Sequence, residues 1–347
     1  MSGTWTSQNK VLPGAYINFL TNAALSITPG DRGTVVLLQE MSAGTQGDIY
    51  TVTATSNNYP EGVTAADQLL AKEALKGAKT VLVYHLGTSH TDSTLSTALA
   101  ALKTVHFNTL CYPYDGAEYT ENKTTIVTWI KTLRSEDGVK AQVVLANHTA
   151  DDESVINVAN GVVLSGGTAL TAAQATAWVA GVTAGANINQ SNTGKIYSGA
   201  VDVTPRMTKS EMEAAISAGK FIFKVDSAQN VSAVYDINSL TTTTVDKGAV
   251  FQKNRVIRTI DGINSDIVEI FESNYIGKIN NNADGRTLLR SSLIEYFKEL
   301  QRLSAIQNFE EKDVMVSVGL DSDAVVIDCY IQPVDSVEKI YITVNLS

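Results

Sequence analysis

Through the first half of the chain, apolar residues fall in short runs separated by stretches with helical spacing. The runs at 34–39, 80–86, 109–112, 141–146 and 162–164 are bounded by turn or charged residues, which predicts strands buried on both faces. Between them, Thr64 is a helix N-cap, Leu69, Leu70 and Ala74 form a buried stripe, and Gly77 is a stop. Ser93 opens a second helix with Leu95, Leu99 and Leu102 on one face. A third helix over 121–134 buries Ile126, Trp129, Ile130 and Leu133. Strand and helix in this alternation predict a mainly parallel, doubly wound α/β sheet.

After Gly166 the texture changes. Residues 171–185 read as an alanine-rich helix, and the polar stretch 187–194 reads as a passage between domains. Thr208 and Glu211 form a capping box for a helix that stops at Gly219. Stretches 221–225 and 231–237 make a hairpin around the turn at 226–230, and 256–271 is helical despite Gly262. Leu289, Leu293, Tyr296, Phe297, Leu300 and Leu303 recur three or four apart, so 287–303 is a long amphipathic helix. Strands at 314–318 and 325–331 flank a turn at Gly319 and Asp321-Ser322-Asp323, giving this region an α+β character.

Composition adds limits. With 347 residues, 44% apolar and 18% charged, the chain has the makings of a sizeable core, in two domains or one large domain with insertions. A formal charge of −10 disfavours binding along a phosphate backbone, so no nucleic-acid partner is expected. No run approaches the length of a membrane span and the first residues lack a signal pattern, so neither insertion nor secretion is expected. Cys111 and Cys329 both read as buried reduced thiols.

Catalytic chemistry finds no pattern to stand on. His85, His90, His106 and His148 fall in no metal-ligand spacing, and no phosphate-cradling glycine motif occurs. His85 and His148 lie at strand ends, where open α/β sheets place ligands, but a lone histidine there is usually a loop or core residue. Ser165-Gly166-Gly167 reads as a turn, Asp151-Asp152-Glu153 as acids opening a helix, and Asp321-Ser322-Asp323 as a hairpin turn. No catalytic, cofactor-binding or metal-binding residue is therefore assigned, and the chain reads as a non-enzyme.

The ends carry more information. Ile340, Ile342, Val344 and Leu346 point one way and Tyr341, Thr343 and Asn345 the other, in strict alternation. Near the start, Ala15, Ile17 and Phe19 share a face, with Tyr16 and Asn18 opposite. Each end either pairs within its own domain or adds a strand to another copy. Burying four aliphatic side chains is worth about 6–12 kcal/mol. Ordering seven residues costs about 7–14 kcal/mol. One donated strand is thus near break-even, and repetition through a lattice would make such contacts strong.

The segments Leu12-Pro13-Gly14-Ala15-Tyr16-Ile17-Asn18-Phe19, 34–38, 221–225, 254–261, 285–303, 325–331 and 340–346, in this order, resemble the contractile tail sheath proteins of myophages and R-type bacteriocins, particularly those of Gram-positive prophages. The resemblance implies an α+β core domain with extended terminal β arms and a doubly wound α/β middle domain inserted on the outside. Carried onto this chain, that gives an N-terminal linking arm and start of the core at 1–20, the outer domain at 21–190, the tube-proximal core at 191–332 and a C-terminal linking arm at 333–347. It also implies hexameric rings stacked helically around a tail tube, with baseplate and tail terminator as further partners. No cofactor is implied. Assembly is expected in the host cytoplasm, within a tail that is later released.

By the same resemblance, the linking arms would be Ala15, Tyr16, Ile17, Asn18 and Phe19 at one end and Ile340, Tyr341, Ile342, Thr343, Val344, Asn345 and Leu346 at the other. Arg286, Arg290, Lys298 and Arg302 are candidates for contact with the tube, a solvated helix face being the plainer alternative. The sheath of a related secretion or extracellular injection system is the second reading, and a small-molecule-binding α/β protein using His85 and His148 the third.

Overall fold

The computed structural model describes residues 32–245 and 247–343, which form a mixed α/β fold in two compact units. Among the described residues, one unit comprises 32–268 together with the returning segment 333–343; the other comprises 269–332.

The first unit is built on a seven-stranded sheet containing β1 (Thr34–Gln39), β2 (Ile49–Thr53), β3 (Thr80–His85), β4 (Thr109–Cys111), β5 (Gln142–Ala146), β6 (Val155–Val158) and, later in the chain, β10 (Lys220–Phe221). The order is β10-β6-β5-β4-β1-β3-β2, parallel throughout except for the antiparallel edge strand β2. Alternate residues of each strand face opposite layers. Val35 and Leu37 pack with α1 (Ala65–Ala74) and α4 (Ala172–Gly185), while Val36 and Leu38 pack with α2 (Asp92–Leu102) and α3 (Thr120–Ser135). That double burial explains why the runs show no alternation.

Local chemistry sets the helix ends. Thr64 and Asp67 form a reciprocal capping box on α1. The cap of α2 is Thr91 rather than Ser93, because Thr91 and Thr94 satisfy one another's backbone. Helix α4 lies tight against α1: a Cβ on Gly181 would sit 2.0 Å from the carbonyl oxygen of Ala74. The small residues that give α4 its alanine-rich texture thus permit backbone-to-backbone approach.

The expected strand at 162–164 is not part of the main sheet. As β7 (Gly161–Leu164) it is the centre of a three-stranded sheet, antiparallel to β8 (Ala169–Leu170) and β9 (Ala200–Thr204). Helix α5 (Lys209–Ser217) starts at the Thr208–Glu211 capping box, and β11 (Phe223–Val225) pairs with β12 (Val231–Ala233) as the expected hairpin. Trp178, Tyr197 and Phe223 form an aromatic cluster, with Trp178 and Tyr197 stacked at 4.5 Å. Helix α6 (Asn254–Ile270) closes the unit.

Stretch 187–194, expected as a passage between domains, lies inside this unit with Asn192 fully buried. The acids at 151–153 do not open a helix; they precede β6, and Asp151 accepts bonds from the backbone N–H groups of Thr241 and Thr242.

The second unit pairs the long helix α7 (Ala283–Arg302), capped by Asn282, with β13 (Ile306–Gln307) and a hairpin of β14 (Val314–Val318) and β15 (Val325–Cys329). Cys329 is only half-buried, unlike Cys111, whose thiol burial pushes up to about 12. No helix among the described residues is long and apolar enough to cross a membrane.

Candidate assembly elements

In the first unit the N-terminus of α6 organises a polar seat. Asp236 accepts from Asn254 Nδ2 (2.9 Å), Arg258 Nη2 (2.8 Å) and the backbone N–H of Asn192 (2.9 Å). Its own N–H donates to Thr193 Oγ1 at 2.9 Å. Thr193 Oγ1 in turn donates to Glu338 Oε1 at 2.6 Å, and Ser191 Oγ donates to the same oxygen at 3.1 Å. The other carboxylate oxygen is paired with Lys253, the residue before α6, whose ammonium also bonds Tyr235 Oη at 2.5 Å and lies 3.9 Å from the centre of that ring. Burial alone would raise the Glu338 carboxyl, but the bonds from Lys253 and Thr193 outweigh it and hold the group below its ordinary value.

Past this seat the chain turns outward. Ile340 is 73% exposed and Ile342 79%. Residues Ile340, Tyr341, Ile342 and Thr343 belong to no strand in the structure. Val344, Asn345 and Leu346, and the N-terminal set Ala15, Tyr16, Ile17, Asn18 and Phe19, lie outside the described residues.

In the second unit the β14–β15 hairpin is a two-stranded sheet among the described residues. Val314 is buried, whereas Met315 and Val326 are each 47% exposed and Val318 and Val325 also face solvent. Sequence reasoning found both strands but not this surface. The signal was the near-continuous apolar run in two short strands, which one helix alone does not cover.

The four cations of α7 have partners within their own unit. Arg286 donates to Asn281 Oδ1 at 2.9 Å, and Arg290 donates to the carbonyl oxygens of Val314 (2.8 Å) and Glu311, tying the hairpin to the helix. Lys298 pairs with Glu311 and Arg302 with Glu299, both on the exposed surface.

The carboxyl ends of β1 and β4 form the sheet's switch point, because the strand order departs in opposite directions from them. His90 fills that position. Its Nδ1 lies 2.7 Å from Glu40 Oε1 and its Nε2 2.7 Å from Tyr112 Oη, which accepts from Asn122 Nδ2 at 3.1 Å. Tyr114 and Tyr119 pack against the same ring. His85 is buried at the end of β3, its Nδ1 accepting from the Gly87 N–H at 2.8 Å. His148 is half-buried, and burial and the charge of Lys123 lower its pKa. The structure thus gathers side chains at the switch point, around His90 rather than around His85 and His148.

Three family models match parts of the chain. The phage tail sheath protein central domain matches residues 61–239, the phage tail sheath C-terminal domain 246–347, and the tail sheath protein Gp18 domain III N-terminal region 32–86. The uncharacterized protein YqbK of Bacillus subtilis is 35% identical over 309 residues, 87% of this chain but 64% of that protein's length. The tail sheath protein of Clostridium phage phiCD119 is 35% identical over 217 residues, 62% of this chain and 59% of its own. The crystal structure of the sheath tail protein of Desulfitobacterium hafniense matches with a TM-score of 0.82 and 36% identity, covering 95% of this chain and 99% of that one. The contracted helical sheath of the anti-feeding prophage shares the fold at a TM-score of 0.73 with 15% identity, over 97% of this chain and 99% of its own. The chain belongs to the phage tail sheath protein family.

Proposed function

We propose that this protein is a non-enzymatic subunit that polymerises around an inner tube in an extended, metastable state and contracts to drive that tube through a target envelope. The observation that carries this reading is the pairing of an unsatisfied donor with an unsatisfied acceptor. Beyond Glu338 the chain presents Ile340 and Ile342 to solvent, and the β14–β15 hairpin presents Met315 and Val326. A two-stranded sheet is marginal by itself, and a strand at its edge invites another. A neighbour's arm, carrying the 340–346 alternation, supplies that strand; residues 15–19 serve as the second arm. The arms join copies into hexameric rings and rings into a helical sheath.

In this reading the first and last parts of the chain form the tube-proximal core and the α/β domain lies outside. Lys298 and Arg302, exposed on α7, would meet the tube; Arg286 and Arg290 would act there with them or brace the hairpin. Baseplate and tail terminator proteins complete the particle, which is assembled in the host cytoplasm and released as a tail. The work comes from repacking between two lattice arrangements. The second reading, a sheath of a secretion or extracellular injection system, is favoured by the fold shared with the anti-feeding prophage sheath.

Electron microscopy of the purified chain tests the proposal. Tubes or stacked rings are expected, and removal of residues 339–347 is expected to leave a folded protein that forms neither. A truncated chain that still polymerises, or an intact chain that stays monomeric at every concentration, would overturn it.

A further inference from the structure

We infer that Glu338 is the pivot of the C-terminal arm: a latch that fixes where the donated strand begins and which of its faces meets the neighbour. The inference rests on the arm reading above and adds a device to it.

The seat for Glu338 is built before the arm reaches it. Lys253 is held by Tyr235, and Thr193 by the Asp236 N–H, while Asp236 is itself fixed by Asn254 and the fully buried Arg258. Four donors converge on the Glu338 carboxylate: Lys253, Thr193, Ser191 and, from within the arm root, Ser336. Asp335 adds a second carboxylate 3.5 Å from Lys253. The Glu338 side chain is 6% exposed, yet two residues later Ile340 is largely in solvent. Val337, just before Glu338, is 84% exposed, so Glu338 is a single buried anchor within an otherwise exposed stretch.

Two consequences follow for strand donation. Side chains alternate with period two, so a root displaced by one residue would turn Ile340 and Ile342 away from the acceptor. A released root would also add residues 333–338 to the tether, and a slacker tether lowers the effective concentration of the strand at its acceptor.

Three full-length variants decide the matter: Glu338→Gln, Lys253→Met, and the exchanged pair Lys253→Glu with Glu338→Lys. Proteolytic cleavage within 334–338 is expected to accelerate about tenfold or more in the two single variants, since a charge-assisted bond is lost. The body should keep its melting temperature, and the concentration needed to form tubes should rise severalfold. The exchanged pair should recover both properties. Unchanged cleavage within 334–338 would overturn the latch, and faster cleavage with undiminished tube formation would overturn its role in assembly. Truncation at 339 serves as the separate control: if the truncated chain polymerises, the arm reading itself has failed.

Discussion

Arg134 on α3 grips Asp261 on α6 through two parallel bonds of 2.8 Å, and the same guanidinium donates to the carbonyl oxygen of Ala141 at 2.9 Å. Both side chains are largely out of water, and 127 residues separate them in the chain. The pair is therefore a tertiary clamp between a helix of the α/β layer and the helix that carries the arm seat. Asp261→Ala would leave the guanidinium short of its main acceptor and is expected to destabilise by about 3 kcal/mol. Combining Arg134→Met with Asp261→Leu should recover most of the loss, as read by denaturant unfolding.

Gly181 governs how closely α4 meets α1. Gly181→Ala places a Cβ 2.0 Å from the Ala74 oxygen, so the helices must part. The expected loss is about 1–3 kcal/mol, despite alanine's better helix propensity. A thermal melt checks it; an unchanged midpoint would mean the pair separates freely.

Tyr112→Phe removes the hydroxyl between Asn122 and His90. Its cost should lie near the low end for a buried bond, about 1 kcal/mol. The reason is that Asn122 Nδ2 already stands 3.5 Å from His90 Nε2 and needs only a small movement to bond it directly. Adding Asn122→Ala to Tyr112→Phe removes that rescue, and the double-mutant cycle should show the coupling.

The arm root should depend on pH at both extremes. Glu338 is held below its ordinary 4.5, so its contribution is complete above that value and lost as pH falls through the folded pKa. For Lys253, burial lowers the pKa but the bonds to Glu338 and Tyr235 raise it above 10.5, so its contribution is complete below that value and lost as pH rises further. Asp335 and Arg255 also face the seat and add their charges to its field. Proteolytic cleavage within 334–338 should therefore be slowest, after correction for the protease's own pH dependence, between these limits.

Met315→Asp and Val326→Asp test the acceptor. Val326 stands opposite Ser317, so Val326→Asp should cost the monomer no more than about 0.5 kcal/mol, whereas Met315 stands opposite Asp328 and Met315→Asp should cost up to about 1 kcal/mol. Tube formation should nevertheless fail, because the charge would be buried beneath an incoming strand.

Much of this architecture can be read from local chemistry. The unbroken apolar runs at β1, β3, β4 and β5 announce a sheet covered on both faces, and the boxes at Thr64 and Thr208 announce helix starts. Strand β6 escaped because Asn157 interrupts its apolar run. That side chain is buried and accepts the His148 N–H, a tertiary role with no local signature. Edge strand β2 alternates in the ordinary way but is short and polar. The alternation at Ile340 and Ile342 is legible in one dimension, whereas the Glu338 seat is not, since Thr193 and Lys253 stand 145 and 85 positions away. The cations of α7 were visible as charges, but Arg290's grip on the Val314 carbonyl depends on the fold alone.

The stopper formed by His90, Glu40 and the surrounding tyrosines has a mechanical meaning. Where related sheet architectures keep a cleft that breathes around a small molecule, this one is plugged with aromatic rings and closed hydrogen bonds. A body packed solid at its natural point of weakness deforms little under stress. If the chain assembles and contracts as proposed, sudden displacement of its neighbours would pass through it as motion of the whole piece, with little of the stroke lost to internal yielding.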